Sequence, residues 1–469
     1  MIAEASASRG EHPARAGRAW QQRAMLPLLI SYVIVVGLAL ARGWCTPVFP
    51  AHGFRGGQGI DFFCVPKAYN NLLQGRSAFD TWGGTPYGPH ATWFVLHPAV
   101  ALWPGGYLAW LPPWYAYGVW VVITLGILLV CGALLAHHAT DPGRKLIVYA
   151  TLLASPVSYW LLFVGNVHGL LLLAAALLLV GLHEAASDAS PALGISAPAK
   201  VAVGLLLSLL SKPLLLITAP ALLVTKATRR SALAALVAYV VISLAFLLIP
   251  VLNPEAIGVA RLAELATRSS ARSDLNVYTH HFILIPEMLD NAMHWLHMVA
   301  QSDYVWDHVQ IYSLQALARG LTDSELWGGL RWVALVPALL SLGLFAIRTE
   351  QGRLVASLWI TVFALASHFL GYAIAWEYQY TQLLVVVAAL VALPSLCAES
   401  SIGTKLMLAG TSLLYLPTPY AWFRAGGLSP LEMAVIRAFR VGPALVVAAV
   451  SLVLVARRIY REASAPEHG

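Results

Sequence analysis

Long apolar runs return again and again along this chain: "MLPLLISYVIVVGLALA", "VWVVITLGILLVCGALLA", "GLLLLAAALLLVGL", "ALVAYVVISLAFLLIPVL", "WVALVPALLSLGLFAI" and "LVASLWITVFALASHFLGYAI". Each approaches the roughly 20 residues that an α-helix needs to cross about 30 Å of hydrocarbon. A segment in lipid must satisfy its own backbone hydrogen bonds, so it is either a helix or a strand of a closed barrel. Barrel strands are short and alternate apolar with polar residues. These runs are apolar on every face and rich in Leu and Ala, which excludes the barrel. With 59% hydrophobic and 11% charged residues over 469 positions, no water-soluble core could hide so much apolar surface. The expected fold class is therefore all-α, a polytopic transmembrane helical bundle.

The formal net charge of +7 would suggest nucleic acid in a soluble protein. Here the basic residues punctuate the apolar runs instead of forming a stripe with interleaved aromatics, so they report topology and no nucleic-acid partner is expected. Arg9, Arg15, Arg18 and Arg23 precede the first run, and "DPGRK", "TKATRR", "RTEQGR" and the terminal "ARRIYRE" are basic. These ends belong in the cytoplasm. The N-terminus imitates a secretory signal, but its apolar run is longer than an ordinary signal core and reads as an uncleaved first helix. The four cysteines, Cys45, Cys64, Cys131 and Cys397, show no CxxC or metal-ligand spacing. No metal or cofactor is expected. Cys45 and Cys64 would share the oxidising face, which leaves a disulfide between them open.

With the N-terminus inside, spans fall at 25 to 42, 114 to 136, 146 to 163, 168 to 183, 199 to 211, 213 to 225, 231 to 252, 327 to 347, 353 to 373, 379 to 396, 403 to 421 and 438 to 456. That is about twelve, with both termini cytoplasmic. One integral membrane domain over 25–458 is flanked by tails 1–24 and 459–469. Two extracytoplasmic loops, about 43–113 and 253–326, are too long to be mere connectors and are expected to carry short helices. The stretch "TWFVLHPAVALWPGGYLAWLPPW" suits an interfacial or re-entrant helix better than a full span.

Under this topology the unusual polar residues all fall at outer helix ends: Asp61, Lys67, Asn70 and Asn71; "GNVHG" at 165–169; "SKP" at 211–213; "YTHH" at 278–281; and "WEYQY" at 376–380. Ionisable groups at the lip of a bundle are costly to desolvate unless they line a watery cavity, so their convergence on one face suggests a site. Plainer readings stand beside this one. Lys212 can snorkel to headgroups, His168 can cap a helix or satisfy a core contact, and the Trp and Tyr residues of 103–120 can form an interfacial belt. Asp61 is a carboxylate among "GI" and "FFCV", for which the alternative is an ion pair with Lys67 or Arg55.

These motifs carry a resemblance. The chain resembles a GT-C type glycosyltransferase and, within that group, the polyprenol-phosphate-sugar-dependent family 87 of mannosyl- and arabinofuranosyltransferases. The similar segments are the early Asp followed by "YNNLLQGRSAFD", "TPYGPHATWFVLHP", "GNVHGLLLL", "SKPLLLI", "YSLQALARGL" and "IAWEYQYTQLL". Two departures stand out: Glu377, Tyr378 and Gln379 follow the late tryptophan where family members often have histidines, and Asn166 with His168 replaces a Gln and Asn arrangement.

The resemblance implies a membrane enzyme facing out of the cytoplasm, integral to the cell (inner) membrane. It would use a polyprenyl-phosphate-linked sugar donor and a lipid or glycan acceptor. Asp61 would be the general base of an inverting transfer, with Lys212, His168 and His280 at the donor phosphate. Tyr69, Tyr87, Asn166, Trp376, Glu377 and Tyr378 would bind substrate, and Glu377 is also the candidate for the second carboxylate that a retaining route requires. The competing classes are a multi-span transporter or flippase for a lipid-linked sugar, and a non-catalytic assembly factor.

Overall fold

The computed structural model describes residues 58–73, 94, 96–252, 312–322, 325–372, 375–398, 400–416, 418 and 429–464, together with Ser31 and Ile34. Most of the expected first span and of the loop 253–326, with Tyr87 and His280, lies outside the described residues. Every regular element among the described residues is helical. In chain order these are α1 (Cys64–Leu73), α2 (Pro98–Leu102), α3 (Gly105–Leu108), α4 (Pro113–Ala136), α5 (Pro142–Leu153), α6 (Pro156–Val164), α7 (His168–Ser187) and α8 (Ala197–Ser211). A 3-10 segment (Pro213–Thr218) leads into α9 (Ala219–Val224), then α10 (Lys226–Leu252) and α11 (Leu314–Thr322). A second 3-10 segment (Glu325–Leu335) continues as α12 (Val336–Gly343), followed by α13 (Glu350–Gly371). The 3-10 turn Glu377–Tyr380 opens α14 (Thr381–Ala392), and α15 (Pro394–Cys397), α16 (Ser401–Thr411) and α17 (Pro430–Ser464) complete the chain.

Among the described residues six helices are long and apolar enough to cross a membrane, or seven if the bent pair α5–α6 is one span. The sequence leads to a larger number: most of the expected span 25–42 lies outside the described residues, and at 199–211, 213–225, 379–396 and 403–421 the helices are short; proline stands at several of the breaks. Pro156 follows Ser155, whose hydroxyl accepts from the Val157 N–H at 3.3 Å, and α5 and α6 meet there at 45°. Pro213 ends α8 at Lys212, whose backbone is extended. Pro394 likewise follows the end of α14. The segments 197–211, 213–224 and 377–392 are thus shorter apolar pieces, and at about 1.5 Å per residue none alone reaches across a bilayer.

The two central helices, α7 and α13, are almost wholly buried, and both are packed on by other helices: α7 by α4, α8 and α14, and α13 by α17. By contrast α10 and the 329–346 segment lie at the periphery, with Val237, Val241, Leu339, Leu342 and Phe345 exposed where lipid would be. The stretch from the end of α2 into the first turn of α4 exposes Trp103, Tyr107, Trp110, Trp114 and Tyr115, in keeping with an interfacial belt. At the far end of α7, Glu184 is buried and fully engaged: Lys200 donates to Oε2 at 2.7 Å, His138 Nε2 lies 3.0 Å from Oε1, and the Ala192 N–H donates to Oε1 at 2.8 Å.

Helices α7 and α8 meet backbone to backbone, because Gly204 lets them. A Cβ there would fall 2.8 Å from the Ala174 carbonyl oxygen and 3.1 Å from the Leu178 nitrogen. Gly204→Val is expected to destabilise the fold by about 1–3 kcal/mol. Thermal unfolding of the purified protein in lipid nanodiscs would check this, and an unchanged midpoint would contradict the close crossing.

Candidate functional site

The site begins at the C-terminal end of α6. The last carbonyls of a helix lack intrahelical donors, and here the turn 58–63 supplies them. Gly59 N–H donates to Phe163 O at 2.7 Å, while Asp61 and Phe62 N–H donate to Val164 O at 3.0 and 3.2 Å. Phe62 and Phe63 anchor the turn in the core against Tyr117, and the Cys64 thiol donates to the Asp61 carbonyl at 3.0 Å. The chain then leaves α6 through Gly165, whose φ of 68° is left-handed. A Cβ at this glycine would also meet the Phe62 Cβ at 2.6 Å. The Trp120 indole N–H holds the Gly165 carbonyl at 2.8 Å. The result is a fixed position for the Asp61 side chain beside the start of α7.

Asn166 ties that carboxylate to two other elements. Its Oδ1 accepts from the His168 N–H at 2.8 Å, an Asx-type cap on α7. This orients the amide so that Nδ2 donates to Asp61 Oδ2 and to the Tyr378 hydroxyl, both at 2.9 Å. Tyr378 arrives on the turn 377–380, and Lys212, at the break after α8, places its Nζ 5.3 Å from the centre of the Tyr378 ring. Residues from four separate parts of the sequence therefore converge: Asp61, Asn166, Lys212 and Tyr378. Asp61, Asn166 and Lys212 are half-buried whereas Tyr378 is buried, so the phenol backs the other three.

Removal from bulk water pushes the Asp61 pKa above the ordinary carboxylate range, and Asn166, the Lys212 charge and the Tyr378 hydroxyl pull part of the way back. Of the partners considered from the sequence, Arg55 lies outside the described residues; Lys212 is a cation that acts on Asp61.

The other expected site residues are placed as follows. His168 is buried at 1% exposure, with Nε2 3.2 Å from the Gln379 carbonyl and its ring centre 6.0 Å from that of Tyr378, so it packs against the turn. Trp376 starts the turn, its N–H donating to Gln379 Oε1 at 3.0 Å. Tyr69 is half-buried and lies against Gly106 of α3, where a Cβ would meet its ring at 3.2 Å; it anchors the loop. Glu377 stands beside Trp376 and Tyr378 on the turn. It is buried in an ion pair with Arg440 of α17, turned to a different partner from Tyr378 beside it.

Two residues of the site's surroundings escape sequence reasoning. His368, half-buried near the end of α13, lies 3.3 Å through Nε2 from Gln379 Oε1 and stacks on Tyr372. Arg440 is fully buried within α17. Both stand inside apolar runs, where helix rotation decides whether a polar side chain meets lipid or protein. The only available signal was the cost of a charge at such a depth.

The fold and the site together define a class: a membrane-associated helical protein whose helix ends assemble a carboxylate, a carboxamide, a phenol and an ammonium. Beyond that class, no protein-family model, no curated protein and no solved structure matches the chain.

Removing the amide tests the network. Asn166→Ala takes one donor from Asp61 and the cap from α7. Losing the donor should raise the Asp61 pKa further and move the acidic limb of any Asp61-dependent activity to higher pH. Losing the cap should lower stability by about 0.5–2 kcal/mol. A pH–rate profile paired with a melting curve separates the two effects.

Proposed function

We propose that this protein is an integral membrane glycosyltransferase, a polytopic helical bundle that moves a sugar from a polyprenyl-phosphate donor to a lipid or glycan acceptor on the extracytoplasmic face of the cell membrane. The sugar is mannose, another hexose or arabinofuranose. The observation that carries this reading is the half-buried Asp61 carboxylate, hydrogen-bonded by Asn166 and placed near the Lys212 ammonium. The family resemblance in the surrounding motifs supports it.

In the transfer, an acceptor hydroxyl oxygen attacks the anomeric carbon as the bond from that carbon to the phosphate oxygen breaks. The bonding electrons leave with the phosphate, and the hydroxyl proton passes to Asp61. Lys212 offsets the charge that grows on the leaving phosphate, and His368, near the end of α13 and against Gln379 of the turn 377–380, is a further donor. A double displacement would need a second carboxylate about 5 Å from the first. The commitment of Glu377 to Arg440 speaks against that route and favours inversion.

A second reading, a flippase for a lipid-linked sugar, draws on the helix broken at Lys212, since transporters place charges at discontinuous helices. The test is label transfer from polyprenyl-phosphate mannose, glucose and arabinofuranose to membrane acceptors, with wild type and Asp61→Asn side by side. Label that appears with one donor and requires Asp61 supports transfer. Equal labelling by both proteins removes Asp61 as the base.

A further inference from the structure

Arg440 is a full guanidinium placed where no water reaches it. Nε donates to Thr418 Oγ1 at 2.9 Å, Nη1 to Leu413 O at 3.0 Å, and Nη2 to Leu416 O at 2.9 Å and to Glu377 Oε1. The Thr418 hydroxyl also donates to that Glu377 oxygen. One planar fork thus fastens the end of the 412–416 segment and the first residue of the turn 377–380 to α17.

That turn carries Tyr378, one of the groups that act on Asp61, and the contacts of two histidines beside it. Residue 378 gives the hydroxyl that accepts from Asn166 and the ring beneath Lys212, while residue 379 gives the carbonyl that meets His168 and the amide oxygen that meets His368. Glu377 immediately precedes them, so a shift of the pair is a shift of the phenol. We infer that Arg440 is a positioning residue for the Asp61 site, acting through Glu377 to fix where Tyr378 stands. The inference rests on the glycosyl-transfer reading for its catalytic consequence, but its geometric content stands apart from it.

Stability alone is a poor explanation for the pair. A buried ion pair can be replaced by apolar residues of similar volume with little loss of stability, or even a gain. Glu377 also leaves Oε2 buried with no hydrogen-bond partner among the described residues, which a pair selected for stability alone would not do. What apolar residues cannot reproduce is the directional fork, with several donors fixed in one plane, and lysine cannot reproduce it either.

The experiment uses the full chain in lipid nanodiscs with 3-fluorotyrosine at position 378, in wild type, Arg440→Lys and the double variant Glu377→Leu/Arg440→Met. The double variant removes both charges together, so it avoids leaving an unpaired buried charge. Both variants are expected to shift or broaden the fluorine resonance. They should also lower kcat by about 10- to 100-fold, as a small misplacement does, with donor KM little changed and the acidic limb of the pH profile displaced. A double variant with wild-type melting, rate, pH profile and fluorine resonance would overturn the inference. If wild type transfers no sugar from any donor, the glycosyl-transfer reading falls. The resonance then decides the positioning claim by itself: displaced in Arg440→Lys it stands, unmoved it fails.

Discussion

Asp61→Asn is expected to insert and fold as wild type does, and to lose about 10²- to 10⁴-fold in transfer rate, the usual cost of removing a general base. The substitution keeps the side chain's size and an oxygen that can accept from Asn166, so the turn pinned to Val164 should persist. What it removes is the proton acceptor. The residual rate should also lose its acidic limb. In wild type the base works only when ionised, and burial raises its pKa. Activity is therefore present above that raised value and lost as pH falls through it, at a higher pH than a solvent-exposed carboxylate would show. A single-turnover pH–rate profile for both proteins checks size and sign together; an acidic limb retained in Asp61→Asn would assign it to another group.

The second large effect is expected at Lys212. Lys212→Met keeps the length of the side chain and discards its charge. A charge-assisted hydrogen bond to phosphate contributes about 1.5–3 kcal/mol, so donor use, read as kcat/KM, should fall by about 10- to 150-fold. The same substitution removes the cation that lowers the Asp61 pKa, and the acidic limb should move up in pH. Lys212→Arg, which restores the charge, should recover part of both effects. If Lys212 only snorkelled to lipid headgroups, Lys212→Met would leave kcat/KM and the pH profile unchanged.

Much of the site was legible in the sequence because a polar residue at the end of an apolar run has few cheap places to go. Asp61, Asn166, Lys212 and Tyr378 each stand out against such a background, and the chain's helix ends bring them together. The roles of their neighbours were less legible. Glu377 and Tyr378 are adjacent in sequence, yet one meets Arg440 and the other Asn166. A short 3-10 turn sends successive side chains in different directions, and only the packing of the turn decides which direction is the site. His368 and Arg440 were hidden for a related reason: within a long apolar run, hydropathy carries no information about rotation around the helix axis.

The helices themselves followed the same pattern. Their existence was plain from the apolar runs, whereas their lengths were not. Whether a segment bends at its proline, as α5–α6 does at Pro156, or divides into shorter pieces, as at Lys212 before Pro213, depends on what packs beside it. The Gly204 crossing holds the first half of the divided pair close against α7.

The most direct test of the account separates chemistry from transport in a single vessel. Purified protein in sealed vesicles would be given a polyprenyl-phosphate sugar labelled in both sugar and lipid, together with an acceptor, and the fate of the two labels followed. The account predicts one polyprenyl phosphate released for each sugar joined to acceptor, with inversion at the anomeric carbon and loss of both products in Asp61→Asn. Intact donor accumulating in the opposite leaflet, with its sugar–phosphate bond unbroken, would contradict it and identify the protein as a carrier of the lipid-linked sugar.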